Sequence, residues 1–284
     1  MEHNYLPDFT DNIPESEYSS PGFISLFRII WASIRNFFKE KPGIIIVSSI
    51  ILLMLWGNQG NLPLLKTLLP SWHGPGTDIG TRPQIIPGIP WDNELISFWI
   101  GAILLVIVPV IIIKFGFKQP LSDYGLGLPP QNRRKLAWWV FILLTVISLP
   151  AFLVSTGNAE MQNEYPIYKP FTSISSFLLY ELCYFPFFIA IEFIFRGYLL
   201  FGLAGIKSNE TQSGNFKVYR YAILISMLSY TAWHLGKPVP ELFGTLIWGL
   251  AAGASVYAIR SIWPVVMAHW LLNVISDSVL SNLF

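Results

Sequence analysis

Polar and ionisable side chains lie inside runs that are hydrophobic enough to span a lipid bilayer, and they come in pairs four residues apart. The pairs are Glu192 with Arg196, Tyr230 with His234, and His269 with Asn273. Because residues four apart share one face of a helix, each pair points one way from its own helix. A charge at the centre of a bilayer costs roughly 2.5–3.5 kcal/mol on insertion scales. These groups are therefore predicted to face one another in a polar site inside a membrane bundle.

The composition is that of a membrane protein. Of the 284 residues 53% are hydrophobic and 12% are charged, and the mean hydropathy is +0.51. An average soluble domain is about 25% charged. The net charge of +1 and the lack of a long basic cluster argue against a nucleic-acid partner. A single cysteine, Cys183, excludes an intrachain disulfide and a Cys-rich metal cluster.

Apolar segments of about 20 residues predict transmembrane helices. Seven segments approach or meet that length: 42–57, 96–115, 136–155, 172–203, 219–235, 242–259 and 262–284. Before them, 23–38 combines Arg28 and Arg35 with Phe and Trp, a pattern typical of a helix lying in the membrane interface. This stretch could instead begin a tilted first span. The predicted fold is an all-α, polytopic integral membrane bundle of about seven helices plus an N-terminal interfacial helix.

The rest of the chain fits one membrane domain over 23–284, preceded by a polar tail over 1–22. The segment 58–95 is rich in Pro, Gly and Trp, and its prolines disfavour a regular helix. It is interpreted as a capping loop over the bundle. Its histidine, His73, is interpreted as a solvated loop residue.

Loop charges predict the orientation, because Lys and Arg concentrate in cytoplasmic loops. If the spans alternate, one side carries Arg28, Arg35, Lys39, Lys41, Lys114, Lys118, Arg133, Arg134, Lys135, Lys207, Lys217, Arg220 and Arg260. The opposite side carries Lys66, Arg82, Lys169 and Lys237 among as many acids. The N-terminus is therefore predicted to be cytoplasmic and the C-terminus extracytoplasmic.

The paired residues have the chemistry of peptide-bond hydrolysis. Glu192 can serve as a general base, and Arg196 one turn away would hold it ionised and oriented. The imidazoles of His234 and His269 can move a proton or donate to a developing oxyanion. The amide of Asn273, on the face of His269, is a suitable oxyanion donor. Structural readings stay open, namely a Glu192–Arg196 ion pair that pins helices and histidines that hydrogen-bond between helices.

The three pairs resemble the signature of the type II CAAX prenyl endopeptidases, also called the CPBP or Abi family of intramembrane proteases. That signature is EExxxR on one helix, FxxxH on another and HxxxN on a later one. The matching stretches are IEFIFR (191–196), YTAWH (230–234) and HWLLN (269–273). The resemblance is firm over 172–275, and before it only LSDYGLGLP (121–129) is similar.

The chain departs from the family at one position. The first glutamate of EExxxR, which the family assigns to water activation, falls on Ile191. Glu192 points about 100° away on a helix and cannot simply replace it. Glu181 lies eleven residues earlier, about 16 Å along the axis. Glu241 is the remaining candidate for a substitute base, although an acid in the first turn of a helix also favours the helix dipole.

The resemblance implies an intramembrane endopeptidase that acts on a membrane peptide or protein, with Glu192 as the base or its electrostatic partner. His234 would assist water activation, His269 and Asn273 would stabilise the oxyanion, and Arg196 would position Glu192. It also raises the option of zinc or another divalent metal held by Glu192, His234 and His269. The bacterial inner membrane is the expected location.

Two other classes of function stay open at this stage. Ile191 motivates a catalytically silent relative that binds a membrane peptide or a partner protein. A transporter or channel would need a continuous polar pathway, whereas the polar residues cluster in the C-terminal half of the chain.

Overall fold

The computed structural model describes residues 23–68, 93–167, 171, 173–204 and 216–281. Within these residues the regular secondary structure is helical and no strand occurs, which confirms the all-α prediction. The polar tail over 1–22 and His73 lie outside the described residues.

A series of α-helices is interrupted by short 3₁₀ turns and by three π-helical stretches. The α-helices are α1 (Phe23–Lys39), α2 (Lys41–Gly57), α3 (Pro63–Leu68), α4 (Asn93–Ala102), α5 (Val108–Ile111), α6 (Arg134–Ser155), α7 (Ala159–Glu164), α8 (Ile174–Glu192), α9 (Leu200–Ala204), α10 (Phe216–Trp233), α11 (Val239–Ile259) and α12 (Trp263–Leu280). The π-helical stretches are Ile103–Ile107, Ile112–Phe117 and Phe193–Leu199.

The continuous helical stretch Ile174–Ala204 is the central element of the bundle. Its most apolar 18-residue window is 94% buried inside the protein. A capping box starts it, because the Ser173 hydroxyl accepts from the Ser176 amide and the Ser176 hydroxyl accepts from the Ser173 amide. The stretch passes through Pro186 and becomes π-helical directly after Glu192. Its burial explains why ionisable residues on it meet protein rather than lipid.

The C-terminal helices pack around this central element. Helix α12 lies against α6 and α8, and α10 lies against α11. Small residues on α11 allow it to pack closely against α10. A Cβ added at Gly249 would come 2.9 Å from Cγ of Met227, and one added at Gly253 would come 3.2 Å from Cγ2 of Ile223. The close approach of α10 and α11 therefore depends on these two glycines.

Gly197 lies in the π-helical stretch, one residue after Arg196, and we expect Gly197→Ala to destabilise the protein. A Cβ there would come 2.8 Å from the backbone carbonyl oxygen of Tyr124, which no side-chain rotation can relieve. The expected loss is about 1–3 kcal/mol, measured as a lower unfolding temperature in detergent. Gly244→Ala is the matched control, because a Cβ at Gly244 meets nothing within 4 Å. Equal unfolding temperatures for the two variants would contradict this account.

Helices lie at all seven predicted spans, but the count of seven transmembrane helices stays a prediction. Four stretches are long and apolar enough to cross a membrane: Leu95–Phe117, Gln131–Ser155, Ile174–Ala204 and Val239–Ile259. The apolar helices Lys41–Gly57 and Tyr221–Trp233 are shorter. Helix α1 exposes apolar side chains such as Phe27 and Trp31, and its interfacial position stays a prediction.

The interpretation of 58–95 as wholly non-helical is wrong in part. Pro63–Leu68 forms a short helix, because proline is favoured at the first helical position, where no amide donor is needed. Helix α4 begins at Asn93, also inside the predicted loop. Residues 69–92 lie outside the described residues, and the capping role of the loop stays a prediction.

Candidate active site

A cavity of about 650 Å³ lies at the end of the bundle where α2, α6 and α12 end and α11 begins. Side chains from α2, α4, α6, α8, α10, α11 and α12 line it, together with the connections that follow α7 and α10. The polar side chains that the site uses are Tyr165, His234, Glu241, His269 and Asn273. Much of the remaining lining is aromatic, including Trp56, Phe98, Phe187, Phe188, Trp233 and Trp248. In the predicted orientation this is the extracytoplasmic end of the bundle.

His269 faces this cavity with a carboxylate directly behind it. Its Nδ1 lies 2.7 Å from Oε1 of Glu192. The rings of Phe188 and Trp248 flank the imidazole at centroid distances of 5.0 and 5.1 Å. Nε1 of Trp248 also donates to Oε1 of Glu192, at 3.3 Å. Because Nδ1 is engaged by the carboxylate, the Nε2 atom of His269 is the ring nitrogen left for chemistry.

Glu192 and Arg196 form an ion pair that does not line the cavity. Both side chains are fully buried, and Nη1 of Arg196 lies 3.4 Å from Oε2 of Glu192. The guanidinium also stacks on the ring of Tyr230, with its central carbon 3.9 Å from the ring centroid, a cation–π contact. The ring at position 230 therefore covers the arginine. Glu192 contacts the cavity lining through His269 and Trp248.

His234 comes from the turn that follows α10, since that helix ends at Trp233. Its Nδ1 lies 2.8 Å from the carbonyl oxygen of Tyr230. A carbonyl only accepts, so we assign the proton of the neutral ring to Nδ1. Nε2 is then the acceptor nitrogen, and it lies 3.6 Å from Oε1 of Glu241.

Tyr165 orients the carboxylate of Glu241. Its hydroxyl donates to the two carboxylate oxygens, each at 2.9 Å. Burial, reinforced by the Glu241 charge, raises the pKa of the Tyr165 hydroxyl well above its ordinary value, so this group remains a donor. Beside this pair, Lys237 forms an ion pair with Glu164. Glu241 is therefore held in one orientation at the cavity wall, where its side chain is 18% exposed.

Asn273 also lines the cavity, one turn from His269, and its amide is partly engaged. Its Nδ2 donates to Oδ2 of Asp277 at 3.1 Å. Asp277 is 2% exposed, and the buried Glu181 lies beside Asp277 and Asn273. Glu181 thus belongs to the surroundings of Asn273 and does not line the cavity.

The residue at the divergent position faces the reacting space. Ile191 lines the cavity, while its neighbour Glu192 does not. This follows from the helix, because successive side chains point about 100° apart. Glu192 therefore does not occupy the place that a glutamate at position 191 would have.

The five predicted site residues meet at one end of the bundle in two groups. Glu192, Arg196 and His269 form one cluster, with Asn273 one turn from His269, and His234 lies beside Glu241. His234, His269 and Asn273 all line the same cavity. Sequence reasoning did not select Tyr165 or Trp248, since neither stands in a motif and both contacts depend on tertiary packing.

The arrangement does not fit the zinc site that the sequence left open. The Glu192 carboxylate is bound to Nδ1 of His269 and to Arg196 behind the wall, and it does not line the cavity that His234 and His269 share. Among the described residues no group of three or more His, Cys, Asp or Glu side chains is placed to hold a metal ion.

Comparison with known proteins identifies the region that carries this site. Residues 173–275 match the family model described as type II CAAX prenyl endopeptidase Rce1-like, which confirms the resemblance predicted for 172–275. No significant similarity to a curated protein or to a solved structure was found. The matched region contains α8, α10, α11 and most of α12, and therefore the clusters around His269 and His234.

Proposed function

Because residues 173–275 match the type II CAAX prenyl endopeptidase family, we propose that this integral membrane protein is an intramembrane endopeptidase. Its substrate would be a membrane-associated protein or peptide, bound in the cavity with one peptide bond between the two imidazoles. The observation that carries the proposal is the Glu192–His269 pair, a cavity-facing imidazole with a buried carboxylate 2.7 Å behind it.

His269 would stabilise the negative charge that forms on the substrate carbonyl oxygen. The Glu192 carboxylate only accepts, so Nδ1 of His269 donates to it, and a proton carried on Nε2 would donate into the cavity. The amide of Asn273 would be a further donor, since Asn273 lines the same cavity one turn away. Fixed donors aimed at a developing oxyanion typically contribute about 10²–10³-fold to the rate.

His234 would contribute to water activation from the other side of the site. Its Nε2 is the acceptor nitrogen once Nδ1 donates to the Tyr230 carbonyl. A water molecule hydrogen-bonded to this nitrogen would be oriented toward the substrate carbonyl carbon. Arg196 would act indirectly, because it holds Glu192 in place and touches no cavity space.

The aromatic walls suit an apolar substrate segment, and family membership supports prenylated C-terminal peptides or membrane-bound peptide precursors as classes to test. The bacterial inner membrane is the proposed location. The family match supports protease activity, and Ile191 makes a direct test of activity essential.

The proposed function predicts proteolysis by the purified protein. Reconstituted wild-type protein should cleave members of a membrane-peptide library, with products identified by mass spectrometry. His269→Ala should lower cleavage by about 10²–10³-fold, because it removes the oxyanion donor. Glu40→Gln, an exposed change outside the cavity, should cleave like the wild type. Wild-type protein without any cleavage would argue for a silent, peptide-binding relative, and equal cleavage by His269→Ala would refute the site.

A further inference from the structure

The cavity contains a carboxylate that the family motifs do not include. Glu241 stands in the first turn of α11, outside the stretches 191–196, 230–234 and 269–273 that carry the resemblance. It lines the same cavity as Ile191, His234 and His269. Its partner Tyr165 holds both oxygens at 2.9 Å, so the carboxylate has a fixed position at the wall.

The distance between Glu241 and His234 suits a water molecule that bridges the two side chains. Oε1 of Glu241 and Nε2 of His234 are 3.6 Å apart, beyond a direct hydrogen bond. With Nδ1 of His234 protonated, both atoms are acceptors and cannot hydrogen-bond to each other. A third group that donates to both would bridge them. A water molecule has two O–H groups and can donate one to each. Two acceptors on one water raise the electron density on its oxygen and orient its lone pair toward the cavity.

We propose that Glu241 is the general base of this protein and replaces the glutamate that is missing at position 191. This inference rests on the proposed endopeptidase function. Two observations carry it. The Glu241 carboxylate has a fixed position at the cavity wall, next to the acceptor nitrogen of His234. The same cavity is lined by Ile191, which stands where the family has its first glutamate.

The proton and electron movements balance in this arrangement. The water oxygen attacks the scissile carbonyl carbon and forms the new C–O bond, while one water proton passes to Glu241. The carbonyl π electrons move to oxygen, where His269 and Asn273 donate to the oxyanion. When the intermediate collapses, the C–N bond breaks and the amine nitrogen takes the proton from Glu241. The products are a carboxylic acid and an amine, and Glu241 returns to its ionised form.

A structural role for Glu241 makes a different prediction. An acid in the first turn of a helix stabilises it by about 0.3–1 kcal/mol through the helix dipole. In that case Glu241→Gln would lower the unfolding temperature slightly and leave kcat unchanged. A general base instead contributes about 10²–10⁴-fold to the rate.

The test compares four proteins on a membrane peptide that the wild type cleaves: wild type, Glu241→Gln, the double variant Ile191→Glu with Glu241→Gln, and the control Glu40→Gln. Glu241→Gln should lower kcat at least about 10²-fold with little change in KM. The double variant should recover at least about tenfold of that loss, because residue 191 lines the same cavity. Glu40→Gln replaces the same carboxylate by an amide on an exposed side chain outside the cavity and should match the wild type.

The outcomes separate this inference from the proposed function. Wild-type kcat in Glu241→Gln, alongside an active wild type, would overturn the role of Glu241 and leave the endopeptidase assignment intact. Failure of the double variant to recover activity would overturn the equivalence of positions 241 and 191. A wild type that cleaves no peptide would overturn both proposals. If Glu241→Gln does not fold, Glu241→Asp keeps the charge but moves the carboxylate away from His234, and the same loss of kcat is expected.

Discussion

The Arg196→Met variant is expected to lose about 3–5 kcal/mol of unfolding free energy, the usual cost of leaving one charge of a buried pair alone. Both side chains of the Glu192–Arg196 pair are fully buried, so no solvent can replace the guanidinium. The variant also loses the stacking of the guanidinium on Tyr230, 3.9 Å from the ring centroid. Equilibrium unfolding in mixed micelles measures the loss.

The matched control removes both charges. The double variant Glu192→Gln with Arg196→Met has no charge on either side chain of the buried pair. Replacing a whole buried ion pair by neutral side chains is often close to neutral for stability. The double variant should therefore be more stable than Arg196→Met alone. A loss below about 1 kcal/mol for the single variant would show that Glu192 does not need the arginine.

The Glu192→Gln variant is expected to lower kcat by up to about 10⁴-fold, the loss seen when the carboxylate behind a catalytic imidazole becomes an amide. The carboxylate fixes the Nδ1 proton of His269 at 2.7 Å, and an amide can present either its oxygen or its NH₂ group to that nitrogen. An amide also cannot stabilise the doubly protonated ring. KM should change little, because Glu192 does not line the cavity.

Steady-state kinetics on reconstituted protein separates this positioning role from a purely structural one. A structural role would reduce the amount of folded enzyme and lower the apparent kcat in proportion to the unfolded fraction. The predicted effect instead persists in the folded protein after correction for that fraction. Glu40→Gln again serves as the surface control. Unchanged kcat in folded Glu192→Gln would refute the role assigned to the Glu192–His269 pair.

The parts of the site that local spacing determines could be predicted from the sequence. Glu192 and Arg196 are four residues apart on one helix, and their ion pair follows from that spacing. Long apolar runs similarly predicted the helices and the buried central stretch. The orientation of Glu192 away from the place of Ile191 followed from the angle between successive helical residues.

Contacts between distant segments could not be predicted in this way. His269 and Glu192 are 77 residues apart, and Tyr165 and Glu241 are 76 apart, so only the packing of the helices brings them together. Asp277 is likewise buried, and it lies beside Asn273. Its burial depends on the contact of α12 with α8, for which no single-residue pattern exists.

The tryptophans around the cavity give this protein an optical property. The indoles of Trp56, Trp233 and Trp248 line the space that a substrate would fill. A bound apolar segment would displace water from these rings and shift their emission to shorter wavelength. Occupancy of the site can thus be followed by intrinsic fluorescence, without labels and without bond cleavage, even in variants that have lost every catalytic group.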